Sequence, residues 1–376
     1  MKIKNIYFPH ITQHELVNIK KVIKNNKFAD GCFQHKCNFF LKEKLKSKYI
    51  KVTQSCSDAL EISTYLLGIK PNDEVLLPSF TFSATANAII ARGAKPVFVD
   101  SREEDMCICF EDLEKKITKK TKCLILVHYG NNICDIDKAL YLKKKHKIKI
   151  IEDAAHSIFA KYKGKYAGTF GDIGTFSFHE TKNFCAGQGG AISINNKNLI
   201  KKAELVLDKG NDLKNLIKSN FNYFNWVEFG SEYQLSELPS ALLYGQLKRC
   251  GEIVKKRKKI FDYYSRIIRS SKSQSLRLID INRNTQSNYH ICPIIFSSMN
   301  LSLKFMKFMK SSGIYTATHY YPLHMSKYGK KISRVKLKNT EQNFNKIVRL
   351  PIHSLLTDRQ IRYIGSKLKK FINNYS

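Results

Sequence analysis

Short apolar runs alternate with amphipathic stretches from about residue 50 to residue 200. The apolar runs predict strands at Glu74–Leu77, Pro96–Asp100, Cys123–His128, Ile148–Glu152, Gly174–Phe178 and Ala191–Asn195. The stretches between them predict helices at Asp58–Leu67, Ser83–Ala91, Phe110–Lys116 and Ile136–Lys145. Within these strands apolar and polar residues do not alternate, and helices separate one strand from the next. The pattern therefore predicts an α/β fold with a mostly parallel sheet covered on both faces.

The regions on either side follow a different pattern. Before the alternating region, helices are predicted at Glu15–Asn25 and Cys37–Lys46. After Gly230, the predicted elements are a long helix at Leu235–Lys259, a strand at Tyr289–Phe296, a helix at Leu301–Ser311 and a last helix at Asp358–Ile372 capped by Thr357. We therefore expect an N-terminal helical segment (residues 1–49), a large domain (50–245) and a smaller α+β C-terminal domain (246–376).

The composition is that of a globular protein with a high positive charge. The 376 residues are 43% apolar and carry a formal net charge of +34. The lysines are spread along the chain in short runs, such as Lys42 to Lys48 and Lys143 to Lys149, on predicted helix faces and turns. The charge therefore favours attraction for small anionic substrates over specific nucleic-acid binding, although a basic nucleic-acid-binding protein remains the rival class.

The cysteines and the apolar runs argue against a metal site and against membrane insertion. The ten cysteines include no C-x-x-C pair, and several lie inside apolar runs, as Cys123 and Cys292 do. This arrangement is typical of buried free thiols in a reducing compartment. The first twenty residues have no apolar signal core, and no apolar run reaches the roughly 18 residues of a membrane helix. We expect a cytoplasmic protein.

Two reactive side chains follow predicted strands. Asp153 comes directly after the run that ends at Glu152, and Lys182 comes shortly after the run that ends at Phe178. Ligands of a parallel sheet bind outside the carboxyl ends of its strands, so we expect both residues at one site. A lysine that forms an imine, a carboxylate that pairs with a pyridinium nitrogen and hydroxyl groups that bind a phosphate are what a pyridoxal phosphate site requires.

Other residues supply the remaining contacts of such a site. The segment 52–58 is rich in hydroxyl groups and precedes a predicted helix. We expect the N–H groups at the start of this helix and the Ser57 hydroxyl to bind the phosphate, with Ser177 as a further donor. An ordinary N-cap explains Ser57 equally well. His156 is expected to reach the phenolic oxygen of the ring, and Phe82 to stack on its face.

A second polar cluster occurs in the sequence T-H-Y-Y-P-L-H (318–324). We expect His319, Tyr320 and His324 to contact a substrate, because aromatic faces and imidazoles suit sugar hydroxyls. The spacing of the two histidines, with Pro322 between them, does not suit a helical metal-ligand pair.

Several blocks in combination resemble the DegT–StrS family of sugar aminotransferases. They are P-S-F-T-F-S-A-T-A-N-A (78–88), R-G-A-K-P-V-F-V-D (92–100), E-D-A-A-H (152–156), S-F-H-E-T-K-N (177–183), W-V-E-F-G-S-E-Y-Q-L-S-E-L (226–238), H-Y-Y-P-L-H (319–324) and R-L-P-I-H (349–353). The resemblance covers nearly the whole chain in order. It implies the aspartate aminotransferase fold (fold type I), pyridoxal 5'-phosphate as cofactor, and a homodimer in which residues near 230–236 reach the partner's cofactor.

The resemblance also implies roles for single residues. It places the imine on Lys182, the partner of the pyridine nitrogen on Asp153 and the stacking ring on Phe82. Phosphate contacts fall on Cys56, Ser57 and Ser177. Related sugar dehydratases carry histidine in place of the lysine, so Lys182 argues against that branch.

Within the family, the blocks at 55–61, 127–129 and 178–183 most resemble enzymes of surface-polysaccharide synthesis. Those enzymes convert dTDP-4-dehydro-6-deoxyglucose into dTDP-4-amino-4,6-dideoxygalactose, with glutamate as donor and 2-oxoglutarate as by-product. An aminotransferase for another sugar carbon or another nucleotide is the alternative. Three residues differ from those usual in the family. Gln188 stands where the family usually has Glu, Glu232 where it has Asn or Ser, and Asn131 where it has Gly.

Overall fold

A seven-stranded sheet forms the centre of the protein in the computed structural model, which describes residues 2–212 and 225–375. The strands are β1 Tyr49–Thr53, β2 Glu74–Pro78, β3 Lys95–Val99, β4 Thr121–Val127, β5 Lys149–Asp153, β6 Lys161–Tyr162, β7 Lys165–Tyr166, β8 Ile173–Ser177, β9 Gly190–Ile194, β10 Leu276–Leu278, β11 Thr285–Gln286, β12 Cys292–Phe296 and β13 Ile347–Leu350. The large sheet has the order β1-β9-β8-β5-β4-β2-β3. Its neighbours pair in parallel except where β9 runs antiparallel to β1 and β8, which confirms the mostly parallel sheet.

Helices cover this sheet and form the two ends of the chain. They are α1 Gln13–Asn25, α2 Cys32–Leu45, α3 Cys56–Leu66, α4 Ser83–Ile90, α5 Phe110–Lys115, α6 Ile136–His146, α7 Ile200–Val206, α8 Glu237–Lys248, α9 Cys250–Ser270, α10 Met299–Ser311, α11 Gly329–Ile332, α12 Lys338–Asn343 and α13 Asp358–Tyr375. None of the described helices is long and apolar enough to cross a membrane. All ten cysteines are free thiols.

The helix predicted at Cys37–Lys46 begins five residues earlier, at Cys32, and two further predicted elements differ from the structure. The single helix expected at Leu235–Lys259 is divided into α8 and α9, because Arg249 between them leaves the helical region with φ −104° and ψ 17°. The guanidinium of Arg249 donates to the Glu15 carboxylate at 2.7 Å, which ties this break to α1. The strand expected at Tyr289–Phe296 begins only at Cys292, since Tyr289 has a left-handed φ of +54°.

A second apolar core lies in the C-terminal part of the chain. The three-stranded sheet β10-β12-β13 packs with α9, α10 and α13, and Phe305 and Phe371 are fully buried there. The helix α13 buries apolar residues at a spacing of three to four, which is why it docks along one face. The Thr357 hydroxyl accepts from the Gln360 N–H at 3.2 Å, which confirms the predicted cap. The three-part domain division stays a prediction, and its boundary at 245/246 falls within α8.

Candidate active site

A cavity of about 610 Å³ opens at the carboxyl ends of the central strands. Asp153 is the last residue of β5, Ser177 is the last residue of β8, and Lys182 lies in the loop that follows β8. The parallel register of β5 and β8 brings these ends side by side. The structure therefore brings together nearly all of the predicted site residues, which line the cavity: Cys56, Ser57, Phe82, Asp153, His156, Ser177, Lys182, His319 and Tyr320.

The N-terminus of α3 forms one end of this cavity. Its N-cap is Ser55, whose hydroxyl accepts from the Asp58 N–H at 3.0 Å, so the capping role considered for Ser57 belongs to Ser55. Cys56 and Ser57 stand in the first turn and line the cavity. Gly190 lets the helix approach β9, because a Cβ on it would lie 2.5 Å from the Cys56 nitrogen. The first turn of an α-helix presents unpaired N–H groups that bind anions.

Lys182 and Asp153 have pKa values shifted by their surroundings. Burial lowers the pKa of Lys182 to about 8, with the Arg349 charge acting in the same direction and Cys56 and Asp153 opposing it. Burial raises the pKa of Asp153, although its carboxylate accepts hydrogen bonds from the Thr85 hydroxyl at 2.9 Å and from the backbone N–H of Ala155 at 3.2 Å. A neutral amine is therefore accessible near neutral pH, and the carboxylate would be stabilised by a cation brought beside it.

His156 lines the cavity with both ring nitrogens engaged. Its Nδ1 accepts from the Gly130 N–H at 3.2 Å, so the ring hydrogen lies on Nε2, which is 3.0 Å from the Tyr320 hydroxyl. Burial lowers the pKa of His156 well below its usual value, which keeps the ring neutral. Tyr320 therefore competes with a cofactor's phenolic oxygen for the hydrogen bond that we predicted from His156. The Tyr320 hydroxyl still has its own hydrogen to donate.

The two histidines of the 318–324 segment have different surroundings. His319 lines the cavity, stacks on Tyr320 with ring centroids 4.1 Å apart, and contacts the Tyr129 hydroxyl through Nδ1 at 2.7 Å. His324 does not line this cavity. Its Nδ1 is 2.6 Å from the Ser79 hydroxyl and its Nε2 is 3.1 Å from Glu341, so its interactions are with the protein and not with the cavity where we expected it.

Sequence reasoning missed several cavity residues. Thr85 donates a hydrogen bond to Asp153, and its signal in the sequence was a second hydroxyl four residues after Thr81 in the block 78–88. Arg349 lines the cavity and donates through Nε and Nη2 to the Thr318 carbonyl at 3.2 and 3.0 Å, and it begins one of the motif blocks. His290 and Arg257 gave no sequence signal, since only the packing of the C-terminal region brings them to the cavity.

The three unusual residues have distinct places. Gln188 lines the cavity. Asn131 makes two hydrogen bonds with the backbone of Ile291, at 2.7 and 3.3 Å. Glu232 forms an ion pair with Lys209, so its charge is partly neutralised within the chain.

These features fit pyridoxal phosphate. The helix N-terminus with its hydroxyl groups suits the phosphate, the buried carboxylate suits the pyridinium nitrogen, and the amine with its lowered pKa suits the aldehyde carbon. Comparisons with known proteins agree. The chain matches the model of the DegT/DnrJ/EryC1/StrS aminotransferase family over residues 9–369. It therefore belongs to that family and is a pyridoxal phosphate-dependent sugar aminotransferase.

Two curated relatives illustrate the range of substrates in the family. The chain is 28% identical over 379 residues to a GDP-perosamine synthase of Escherichia coli O157:H7, with all of both chains covered. It is 30% identical over 365 residues to the UDP-4-amino-4,6-dideoxy-N-acetyl-beta-L-altrosamine transaminase of Campylobacter jejuni, with 96% of this chain and 95% of the relative covered. Neither name contains the dTDP-linked sugar that the sequence blocks suggested.

Solved structures confirm the aminotransferase fold, fold type I. A Streptococcus pneumoniae protein described as a sugar aminotransferase, in its PLP form, superposes with a TM-score of 0.91 at 23% identity and covers 100% of this chain and 99% of its own. PseC of Helicobacter pylori, an aminotransferase of pseudoaminic acid biosynthesis, superposes with a TM-score of 0.90 at 23% identity and covers 99% of both chains.

Proposed function

We propose that this enzyme transfers an amino group from glutamate to the 4-keto carbon of a nucleotide-linked 6-deoxy sugar. The candidate substrate is dTDP-4-dehydro-6-deoxyglucose, which would give dTDP-4-amino-4,6-dideoxygalactose for surface-polysaccharide synthesis. The observation that carries the proposal is the meeting of Lys182 and Asp153 in one cavity beside the N-terminus of α3. GDP- and UDP-linked sugars are the alternatives, since those nucleotides appear in the names of the relatives.

Lys182 acts first as the nucleophile and then as the proton carrier. Because burial lowers its pKa to about 8, a fraction of the amine is neutral at neutral pH and would hold the cofactor through its aldehyde carbon, with loss of water. Once an amino substrate has taken its place, the free Nζ would act as the general base that removes the proton from the substrate carbon. In the second half-reaction Nζ would deliver a proton to the former keto carbon.

Asp153 and the first turn of α3 hold the cofactor. Pyridoxal phosphate, when bound, supplies a protonated ring that withdraws electrons from the reacting carbon. Asp153 keeps that ring nitrogen protonated, and Thr85 fixes the carboxylate in position. Cys56 and Ser57, together with Ser177, bind the phosphate, and Phe82 covers the ring from the cavity mouth, where its side chain is 62% exposed.

Arg349 supports glutamate, the amino donor that the family resemblance implies. Among residues 2–212 and 225–375, no carboxylate forms an ion pair with Arg349, and the described hydrogen bonds of its guanidinium go to the Thr318 carbonyl alone. Its remaining N–H groups therefore suit a substrate carboxylate. His319 and Tyr320 then face the sugar, with the Tyr320 hydroxyl donating a hydrogen bond because it receives one from His156.

A panel of substrates tests the proposal. The holoenzyme is incubated with glutamate and with the dTDP-, GDP- or UDP-linked 4-dehydro-6-deoxy sugar, and the products are identified by mass and NMR. We expect many equivalents of 2-oxoglutarate per active site with the dTDP sugar, and no more than one equivalent with dTDP-glucose, a control that lacks the keto group and so permits only the first half-reaction. Aspartate and glutamine are the control donors.

Two results would contradict the proposal in different ways. Efficient amination of the GDP- or UDP-linked sugar without amination of the dTDP sugar would overturn the nucleotide assignment. An amino group at a carbon other than C4 would overturn the position of the reaction.

A further inference from the structure

Residues 287–290 cross between the loop that carries Lys182 and the loop that follows Asp153. This segment precedes β12 and comes from the C-terminal part of the chain. Four buried side chains make its contacts, namely Asn288 and His290 of the segment itself and Asn183 and Arg257, which bind its backbone. The reaction steps assigned above use none of them.

Asn183, the residue after Lys182, is held by this segment at two points. Its Nδ2 donates to the Asn288 carbonyl at 2.9 Å, and its Oδ1 lies 3.0 Å from Nδ1 of His290. The first contact requires the amide nitrogen, so the oxygen must face His290, whose hydrogen therefore lies on Nδ1. Burial lowers the pKa of His290 well below its usual value, which keeps this tautomer neutral.

Asn288 connects the same segment to the loop after Asp153. Its Nδ2 donates to the carbonyls of His156 and Ile158 at 2.8 and 3.0 Å. The His290 ring also packs against His156, with ring centroids 4.5 Å apart. One short segment thus contacts both loops that carry the reactive groups.

Arg257 of α9 binds the backbone of this segment through its guanidinium. Its Nε donates to the Tyr289 carbonyl at 3.0 Å, and its Nη2 donates to the His290 carbonyl. Among the described residues no carboxylate pairs with this buried cation, and Tyr289 has a left-handed φ of +54°. A buried unpaired charge and a strained non-glycine residue are both costly, and strain of this kind concentrates at functional sites.

We propose that Arg257, Asn288, His290 and Asn183 form a positioning clamp that fixes Lys182 relative to Asp153. None of the four is a catalytic residue. The clamp makes Lys182 meet the cofactor and the substrate carbon in one geometry, and it keeps water away from the amine. This inference depends only on the pyridoxal phosphate chemistry and not on which sugar is the substrate.

The test is a pH titration of the visible absorbance of the holoenzyme. In Asn183→Ala the Lys182 loop loses both contacts and admits water, which stabilises the protonated nitrogen, so we expect the midpoint to rise by about one pH unit. The kcat should fall roughly 10- to 100-fold, because a displacement of about 1 Å is enough for such a loss, while the KM for glutamate changes little. His290→Ala should shift the midpoint in the same direction.

Asn132→Ala is the matched control. Asn132 is a buried asparagine that also makes two backbone hydrogen bonds to the C-terminal region, to the Asp280 carbonyl and from the Asn282 N–H, but it does not contact the Lys182 loop. Its loss should lower thermal stability without moving the midpoint. If Asn183→Ala does not fold, Arg257→Lys tests the far end of the clamp with the same readout. An unchanged midpoint in the folded variant, or an equal shift in Asn132→Ala, would overturn the clamp whatever the substrate panel shows.

Discussion

At the scale of single residues, the chemistry depends on burial of Lys182 and Asp153. Burial lowers the pKa of the lysine and raises the pKa of the aspartate, so both groups are displaced toward their neutral forms. A cationic ring placed between them would restore the charge of Asp153 while leaving the amine reactive. Neither shift follows from the residue types, since other lysines of this chain are exposed on helix faces.

Replacing Lys182 tests its role as the attachment point. We expect Lys182→Ala to lose the visible absorbance of the cofactor–lysine linkage and to lose turnover by several orders of magnitude, because Lys182 is the one lysine among the described residues that lines the cavity. Spectra of the purified holoenzyme before and after addition of glutamate provide the measurement. Lys197→Ala, at an exposed position, is the control and should keep both the absorbance and its change with glutamate. Retention of the absorbance in Lys182→Ala would show that the lysine assignment is wrong.

At the scale of elements, the site is made by strand ends meeting a helix end. The phosphate end of the cavity exists because β9 allows α3 to approach it closely at Gly190. Gly190 pairs with Thr53 of β1 on one side and with Ser177 of β8 on the other. The ends of β1 and β8 and the start of α3 therefore meet at Gly190. This convergence joins segments that are more than one hundred residues apart in the chain.

Gly190→Ala tests that convergence. The added Cβ would lie 2.5 Å from the backbone of Ser55 and Cys56, so the helix end must move. We expect a loss of about 1–3 kcal/mol in the free energy of unfolding and weaker binding of pyridoxal phosphate. Thermal unfolding and cofactor titration measure the two effects.

Gly251→Ala is the counterpart of this substitution. Gly251 lies in the first turn of α9, and an added Cβ would meet no atom within 4 Å outside its neighbouring backbone, so alanine should be accommodated without loss in the free energy of unfolding. Unchanged cofactor affinity in Gly190→Ala would refute the role given to this contact.

At the scale of the whole molecule, the surface combines positive charge with exposed apolar side chains. The +34 net charge attracts anionic substrates at long range, an effect that falls as ionic strength rises. The segment 226–229 exposes three large apolar residues, with Trp226 at 83% exposure beside Val227 and Phe229. Exposed apolar clusters of this kind mark interaction sites, and the family resemblance implies a homodimer near this segment.

Trp226→Asp tests the homodimer. We expect the wild-type protein to sediment as two copies of the 43.4 kDa chain, and the variant to shift toward one copy, because a carboxylate at the contact removes apolar burial and adds desolvation cost. Tyr141→Asp, at an exposed aromatic of α6, is the control and should stay dimeric. A monomeric, fully active wild-type protein would contradict the homodimer.

The sequence by itself determined the class of fold and the two central residues of the candidate site. Apolar runs separated by helices specify a parallel sheet because hydrophobic patterning is local, and Asp153 and Lys182 could be placed because each follows a strand. Prediction failed where the backbone is decided by distant contacts. Arg249 ends a helix within a helical sequence pattern, and its guanidinium binds Glu15. Tyr289 is not part of a strand although its sequence pattern predicts one, and its carbonyl is bound by Arg257.

Only the tertiary structure decided which polar residues meet the cavity. His319 and His324 are five positions apart in one motif, yet the first lines the cavity and the second is held by Ser79 and Glu341. Arg349 and His290 reach the cavity of Lys182 from β13 and from the segment before β12. The physical reason is that side-chain surroundings depend on packing between segments far apart in sequence, whereas strand and helix patterns depend on near neighbours.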